Sequence, residues 1–348
     1  MMWLSQVAAV IRLEMRKTFL SKRGLWVYLV ALAPVAIMFL HSMVSLYIGE
    51  ERRALAAARP ASISALQSVA SGMSSEEVIE RVGEPHERVN TPRRVVLRYT
   101  DGRDLYTFIL ANDHVVSIGK RTRDTVYYDT AIFATVFQFF FLRLAVFFGC
   151  VGVFTNLFRA ELLDKSLHYY LLTPLRREVL VAGKYIAGLT ATVVIFCTST
   201  VLQIWALSLH FDAQEIAEFL DGGGWGQIAA YTGVAAAACL GYGSVFLAAG
   251  LLFRNPIVPA AVVVSWEGLN LFLPAALKKV SVIYYLQSLC PVVAQPDENM
   301  NPLLKLLINA AEPVSAPVAV LGLLVVTAAL LLWSGRLARR LEINYSTD

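Results

Sequence analysis

Two ionisable side chains lie inside long apolar stretches of this 348-residue chain, where a charge is costly and therefore informative. Arg143 falls near the middle of the stretch 132–158, and Glu267 near the middle of 257–277. A single charge at the centre of a bilayer costs about 2.5–3.5 kcal/mol, and such residues usually face the protein interior and pair. We therefore predict an intramembrane Arg143–Glu267 pair, which either fixes the packing of two helices or breaks during a functional cycle.

Short motifs that bind phosphate or activate a nucleophile are missing from the sequence. Gly119-Lys120 and Gly183-Lys184 lack the earlier glycine and the hydroxyl residue of a phosphate-binding loop. The sequence has neither a His-Glu-x-x-His nor a Gly-x-Ser-x-Gly motif, and its four cysteines have no metal-ligand spacing. The five histidines are scattered, with no visible cluster, at positions His41, His86, His114, His168 and His210. We expect no catalytic residue, metal or cofactor in this chain, and any ATP and Mg²⁺ on a separate subunit.

The composition points to a membrane protein. The chain is 57% hydrophobic and 16% charged, whereas soluble domains carry about 25% charged residues. A helix needs about 20 apolar residues to cross the hydrocarbon core. Six windows satisfy this length and predict an all-α polytopic fold with six spans: Leu25–Tyr47, Ile132–Phe158, Tyr185–Leu209, Gln227–Phe253, Ile257–Leu277 and Val314–Trp333.

The lysine and arginine residues predict which side each loop occupies. Short cytoplasmic loops are enriched in these residues, and here they concentrate in 12–23, 159–184 and 336–340. The segment 210–226 has none. We therefore expect both termini in the cytoplasm. The segment 48–128 also carries many basic residues, but we place it outside because long loops are exempt from the rule.

The segment 48–128 has the composition of a small α+β domain. Ser74 and Glu77 form a capping-box pattern that opens a short helix, which Gly83 and Pro85 end. Alternating apolar residues then predict a three-stranded meander, with strands at 95–99, 105–110 and 115–118 and turns at Asp101-Gly102 and Asn112-Asp113. The motifs Gly-Met-Ser-Ser-Glu-Glu-Val, Val-Gly-Glu-Pro and Val-Val-Ser-Ile make residues 66–120 resemble the BamE/SmpA-type periplasmic module. That resemblance implies a bacterial periplasm and a protein partner for this domain, and the alternative is a passive cap.

The remaining segments complete the predicted organisation. Residues 3–20 have apolar positions at helical spacing and basic residues largely on the other face, as in an interfacial helix on anionic lipid. The segment 278–313 between the last two windows is too long for a hairpin, and its two apolar pieces, 280–289 and 302–310, are too short to span, so we expect re-entrant or interfacial helices there. The predicted domains are a cytoplasmic interfacial helix (1–24), the first span (25–47), an extracytoplasmic domain (48–128), spans two to six (129–334) with a coupling loop (159–178) and an outer re-entrant segment (278–313), and a cytoplasmic tail (335–348).

The loop 159–178 has the pattern of a docking element. It begins as an amphipathic helix with Leu163, Leu167, Tyr170 and Leu171 on one face, and Thr173-Pro174 ends it. A short amphipathic helix flanked by mixed charge is typical of a segment that docks in a groove of a partner. The alternative is a helix that lies on the inner membrane face without docking to a partner.

This loop is similar to the first cytoplasmic loop of type-2 ABC exporter permeases, in which an acidic residue, a Leu-Leu-Thr-Pro turn, basic residues and a Gly-Lys pair follow in order. The amphipathic start, the six predicted spans, the large outer segment and the basic tail resemble the same family. The resemblance implies an ATP-binding-cassette ATPase partner, a second permease copy (the same or a related chain) and a location in the bacterial inner membrane. It places the ATPase interface at Arg159, Glu161, Asp164, Lys165, Leu167, His168, Tyr170 and Leu171.

Two other classes of function stay open at the level of sequence. An ion-gradient-driven secondary transporter would use Glu267 as a proton site, although no repeat of broken helices is visible. A membrane-embedded enzyme would need a site assembled from distant residues. The transported substrate is not readable, and the scarcity of charge in the spans favours a lipid or another amphiphile only weakly. Lipid and a periplasmic protein are further expected partners, and nucleic acid is not.

Overall fold

The computed structural model describes residues 6–14, 25–58, 61–91, 94–102, 104–121, 125–163, 176–253, 255–269, 275–292 and 314–339. Thirteen α-helices and four strands lie in these ranges. We number the helices α1 (6–14), α2 (Leu25–Ala58), α3 (Ile63–Gln67), α4 (Ser75–Val82), α5 (Val126–Val136), α6 (Phe147–Leu163), α7 (Arg177–Ser208), α8 (Ala213–Phe219), α9 (Trp225–Leu252), α10 (Ile257–Leu269), α11 (Ala275–Lys278), α12 (Val282–Leu289) and α13 (Ala316–Arg339). Two π-helical segments, Phe137–Val146 and Leu220–Gly224, connect α5 to α6 and α8 to α9.

Five helices in the described part of the chain are long and apolar enough to cross a membrane, so the chain is an integral membrane protein. They confirm five of the predicted spans and cover Leu25–Ala57, Val126–Phe158, Arg177–Ser208, Ala213–Leu252 and Ala316–Arg339. The prediction of six spans is not met in the described residues. The predicted window Ile257–Leu277 holds α10, of 13 residues, and the beginning of α11, and positions 270–274 between them lie outside the described residues. The sixth span therefore stays a prediction.

The chain divides into two compact units, one of which consists of residues 39–129 and 207–216. Its sheet lies between the first two membrane helices in sequence. Four antiparallel strands run in the order β1-β2-β3-β4, with bounds β1 Glu87–Thr91, β2 Arg94–Thr100, β3 Leu105–Ala111 and β4 His114–Arg121. Its core residues are buried and apolar or aromatic: Leu66, Val69, Val78, Leu97, Tyr99, Tyr106, Phe108, Leu110 and Val115.

The local signals in this unit mostly predict its structure correctly. Ser74 Oγ accepts from Glu77 N, and a Glu77 carboxylate oxygen accepts from Ser74 N, which completes the predicted capping box of α4. Asn112 and Asp113 both have positive φ, as the tight β3–β4 turn requires. The meander has four strands, however, and not three. Strand β1 is not predicted by the sequence pattern because it is a mostly exposed edge strand of polar composition, paired to β2.

The other unit consists of residues 1–38, 130–206 and 217–348, and it is helical. Helix α9 packs against α6 and α13, and α12 packs against both α9 and α13. Backbones approach closely where α6 meets α9. A Cβ built on Gly250 would lie 3.0 Å from the Thr155 Cα, so the contact depends on a residue without a side chain. The amino-terminal helix 6–14 also belongs to this unit, which agrees with the predicted helix at 3–20 over the residues described.

Candidate functional site

The ammonium of Lys184 occupies a buried position at the start of α7, close to both ends of the predicted coupling loop. Lys184 Nζ donates to Glu14 Oε1 at 2.8 Å and to the Leu157 carbonyl oxygen at 2.7 Å, and both charged side chains are almost fully buried. The ammonium also lies 5.2 Å from the centre of the Phe158 ring. We call this group of contacts, made by Glu14, Leu157, Phe158 and Lys184, the Lys184 junction. It joins α1, α6 and α7.

The neighbouring residue Gly183 explains how α1 approaches α7 so closely. A Cβ at this position would lie 2.8 Å from Val10 Cγ1 and 2.9 Å from Val10 Cβ, so only glycine fits without a shift. Val10 is itself buried. The Gly183-Lys184 pair therefore has a structural role: Gly183 allows α1 to approach closely, and Lys184 binds Glu14 of α1.

A second set of contacts ties the first turn of α7 to the end of the last membrane helix. Arg177 Nη1 donates to the carbonyl oxygens of Ala338 and Arg339, at 3.3 and 2.9 Å. The guanidinium of Arg339 forms an ion pair with Glu178. A cation at a helix C-terminus satisfies carbonyl groups that the helix leaves free and interacts favourably with the helix dipole. The start of α7 is thus attached to α13 as well as to α1 and α6.

The predicted ATPase interface lies largely outside the described residues. Arg159 and Glu161 fall near the carboxy-terminal end of α6, where the backbone is helical. The predicted interface therefore stays a prediction, although its two flanks are held by the contacts above. The other members of the interface lie outside the described residues: Asp164, Lys165, Leu167, His168, Tyr170 and Leu171.

Glu267, the predicted intramembrane acid, binds the beginning of a short helix. Its carboxylate accepts from Ser281 Oγ at 2.5 Å, from Val282 N at 3.0 Å and from Ile283 N at 3.1 Å. The first amides of α12 have no partner within their own helix, and an anion at a helix N-terminus also interacts favourably with the helix dipole. Glu267 therefore caps α12 from α10.

The predicted pairing of Glu267 with Arg143 stays a prediction. The hydrogen bonds of the Glu267 carboxylate are made with Ser281 and the first two amides of α12, while the charges of Glu267 and Arg143 interact electrostatically. Arg143 lies in the π-helical segment, 5.6 Å from the centre of the Phe139 ring, and its Nε is buried with no hydrogen-bond partner in the part of the chain described. A functional role for Arg143 stays a prediction.

A cluster of three metal-ligating side chains in the sheet-containing unit was missed by the sequence analysis. His41 Nε2 lies 3.1 Å from Asp129 Oδ2, and His210 Nε2 lies 2.9 Å from the same oxygen. The three ligand atoms all lie within 4.8 Å of one another. Asp129 is fully buried and His210 nearly so, whereas a quarter of the His41 side chain is exposed. We call these three residues the His-Asp cluster.

The separation of the cluster along the sequence explains why the sequence analysis found the histidines scattered. His41 lies in α2, Asp129 in the first turn of α5, and His210 just after α7. The available signal was positional: these residues lie near the end of the first predicted span, the start of the second and the end of the third. Alternating spans place these three ends on one side of a membrane.

Comparison of the chain with protein-family models, with curated proteins and with solved structures finds no match. Function is therefore inferred from the residues and contacts described above.

Proposed function

We propose that the chain is the permease subunit of an ATP-binding-cassette exporter, and that a separate ATPase subunit binds the coupling loop 159–178. The observation that carries the proposal is the Lys184 junction. A segment with the composition of a docking helix is held at its amino-terminal flank by α6 and at its carboxy-terminal flank by α7, and one buried ammonium binds both flanks and α1.

The energetics of the junction support a role in transmitting motion. Removing one partner of a buried ion pair costs about 3–5 kcal/mol, so α1, α6 and α7 stay attached when the loop between them is displaced. Through Arg177 and Glu178 the same displacement reaches the end of α13. A partner that moves the loop 159–178 would therefore move four helices together, which is what a permease without its own nucleotide site requires.

The proposal extends to assembly and location. Two permease copies and two ATPase subunits would complete a pathway, with an amphiphile such as a lipid as the cargo class. The chain would lie in a bacterial inner membrane, with both termini cytoplasmic and the domain 48–128 periplasmic, where the sheet would bind a partner protein. The alternative of a secondary transporter would use Glu267 as its proton site, and this carboxylate accepts hydrogen bonds from Ser281 and from the first two amides of α12.

Co-purification tests the proposal directly. The tagged full-length chain, extracted from its native membranes in mild detergent, is expected to retain an ATP-binding-cassette ATPase that mass spectrometry identifies. Glu161→Lys, in the coupling loop, should lose that subunit. Glu80→Lys, an exposed acid on α4, is the matched control and should retain it. Loss of the ATPase from both variants or from neither, or its absence from the wild type, would count against the proposal.

Labelling in intact spheroplasts tests the orientation, with all four native cysteines replaced. A membrane-impermeant maleimide is expected to label Val116→Cys, on an exposed position of β4, and not Lys165→Cys. After the membrane is permeabilised, both positions should react. Labelling of position 165 from the outside would place the coupling loop on the side of the membrane opposite to a cytoplasmic ATPase and would contradict the proposal.

A further inference from the structure

The orientation of His210 is fixed by a hydroxyl group. Ser42 Oγ lies 3.1 Å from the Leu207 carbonyl oxygen and 3.1 Å from His210 Nδ1. A carbonyl oxygen can only accept, so both contacts are hydrogen bonds at once only if Ser42 donates to Leu207 and His210 Nδ1–H donates to Ser42. In the neutral imidazole this arrangement leaves the lone pair on Nε2, the nitrogen that faces Asp129.

His210 Nε2 lies close to the carboxylate of Asp129 without a hydrogen bond to it. His210 Nε2 lies 2.9 Å from Asp129 Oδ2, yet within the described ranges it has no hydrogen-bond partner, and neither does Asp129 Oδ1. Both residues are at least nine-tenths buried. Buried polar atoms are almost always satisfied, and a buried carboxylate is costly unless a cation neutralises it. The unsatisfied atoms His210 Nε2 and Asp129 Oδ1 therefore indicate a binding position for a cation.

From this geometry we infer that the His-Asp cluster is a binding site for one divalent transition-metal ion, with Zn²⁺ the best match. Two imidazole nitrogens and one carboxylate oxygen are common zinc ligands, with bonds of about 2.0–2.2 Å. Ligand atoms around a tetrahedral zinc ion lie about 3.3–3.5 Å apart. The three atoms here lie within 4.8 Å of one another, so small side-chain shifts bring them to bonding distance.

The surroundings supply the further features of a zinc site. Ser42 binds the second nitrogen of His210, which is the usual arrangement for a metal-binding imidazole and fixes both its tautomer and its ring orientation. Three protein ligands leave a fourth position open for water or another small ligand, and the exposed part of His41 gives access to it. The ion would hold together the sequence-distant segments that carry residues 41, 129 and 210. The inference is independent of the proposed ATPase partner.

Metal titration of the full-length chain in detergent tests the inference. After chelator treatment, wild-type protein is expected to bind one Zn²⁺ per chain by competition with a chromophoric indicator, with the stoichiometry checked by elemental analysis. Zn²⁺ should also raise the unfolding temperature. Ser42→Ala should weaken binding by about 10–100-fold, as expected for loss of an orienting partner. Asp129→Asn and His210→Gln, which remove ligands, should weaken it more.

A matched control and a spectroscopic signature keep the test decisive. His114→Gln changes an exposed histidine of the same unit and should leave zinc affinity unchanged. Bound Co²⁺ should show the visible absorption of a tetrahedral nitrogen–oxygen site, without thiolate charge-transfer bands. If wild-type protein binds no Zn²⁺ stoichiometrically, if binding survives Asp129→Asn undiminished, or if the Co²⁺ spectrum shows thiolate ligands, the inference is overturned. In the first case the cluster is a carboxylate–imidazolium network.

Discussion

The ammonium of Lys184 lies 2.8 Å from Oε1 of Glu14, across 170 positions of sequence, and both side chains are almost fully buried. Lys120 and Asp104 form an ion pair of similar length, 2.7 Å, in the sheet, but the lysine side chain there is 46% exposed. The two ion pairs have nearly the same N–O distance but differ in burial. Comparing the stability lost when each lysine is replaced therefore measures the effect of solvent screening at nearly constant distance.

We expect Lys184→Met to lower the free energy of unfolding by about 3–5 kcal/mol, because it removes the ammonium from a buried ion pair and leaves the buried carboxylate of Glu14 without that positive charge. Lys120→Met should cost much less, because exposed ion pairs are screened by solvent and are worth little. The double variant Lys184→Met with Glu14→Leu should recover part of the loss. Unfolding curves of the full chain in detergent measure all three effects. Equal losses for the two single lysine variants would show that the junction is not a desolvated pair.

Glu267→Ala should destabilise the packing of α12, since three donors that begin this helix would lose their acceptor. Glu267→Gln keeps one acceptor oxygen and should cost less. Because Glu267→Arg loses the hydrogen bonds to the start of α12 whatever residue stands at position 143, the charge exchange Arg143→Glu with Glu267→Arg should behave no better than the worse single variant. Thermal stability in detergent and expression level report the outcome. Clear rescue by the exchange would instead favour a direct charge pair.

Replacing two different glycines of α9 by alanine is expected to have opposite effects on stability. A Cβ at Gly250 would press against backbone atoms of α6, with the Thr155 Cα at 3.0 Å, whereas a Cβ at Gly233 would meet nothing within 4 Å. Gly250→Ala should therefore lower the unfolding temperature by forcing α6 and α9 apart. Gly233→Ala should leave it unchanged or raise it, since alanine is favoured over glycine in a helix by about 0.8–1 kcal/mol. A loss of stability in Gly233→Ala as large as that in Gly250→Ala would contradict the helix contact.

Tyr99 gives the sheet a predicted pH dependence at alkaline pH. Burial, helped by the charge of Glu84, raises the pKa of Tyr99 to about 12 from an ordinary value of 10.0. Above pH 10 the unfolded chain therefore releases this proton while the folded chain keeps it. The stabilising effect is complete below pH 10 and is lost as the pH rises toward 12.

The variant Tyr99→Phe should abolish this part of the pH dependence. At neutral pH it should cost about 1 kcal/mol, because the phenol donates to the Gly83 carbonyl oxygen at 2.9 Å. Scanning calorimetry of the full chain between pH 8 and 11 compares the slopes. Tyr127→Phe, at a tyrosine that is 87% exposed, is the control and should keep the wild-type slope. An unchanged slope in Tyr99→Phe would mean that other groups dominate.

Local and compositional features of this protein are readable from its sequence. Runs of apolar residues predicted five of the membrane helices, because the length of an apolar helix that lipid can accept is set by the thickness of the bilayer. The Ser74–Glu77 capping box and the Asn112-Asp113 turn were also predictable, since each depends on residues within a few positions of one another. The mixed charge of 159–178 and the missing phosphate-binding loop likewise come from the sequence alone.

Only the tertiary structure decided which distant polar groups meet. Lys184 binds Glu14, and Glu267 binds the first amides of α12. The two histidines His41 and His210 both lie close to one carboxylate oxygen of Asp129. A buried charge must find a partner, but sequence spacing does not say which, because helix packing brings together residues separated by tens to more than a hundred positions. Strand β1 escaped prediction for a related reason. Its polar residues form a strand because they pair with β2, and they have no apolar alternation of their own that would predict one.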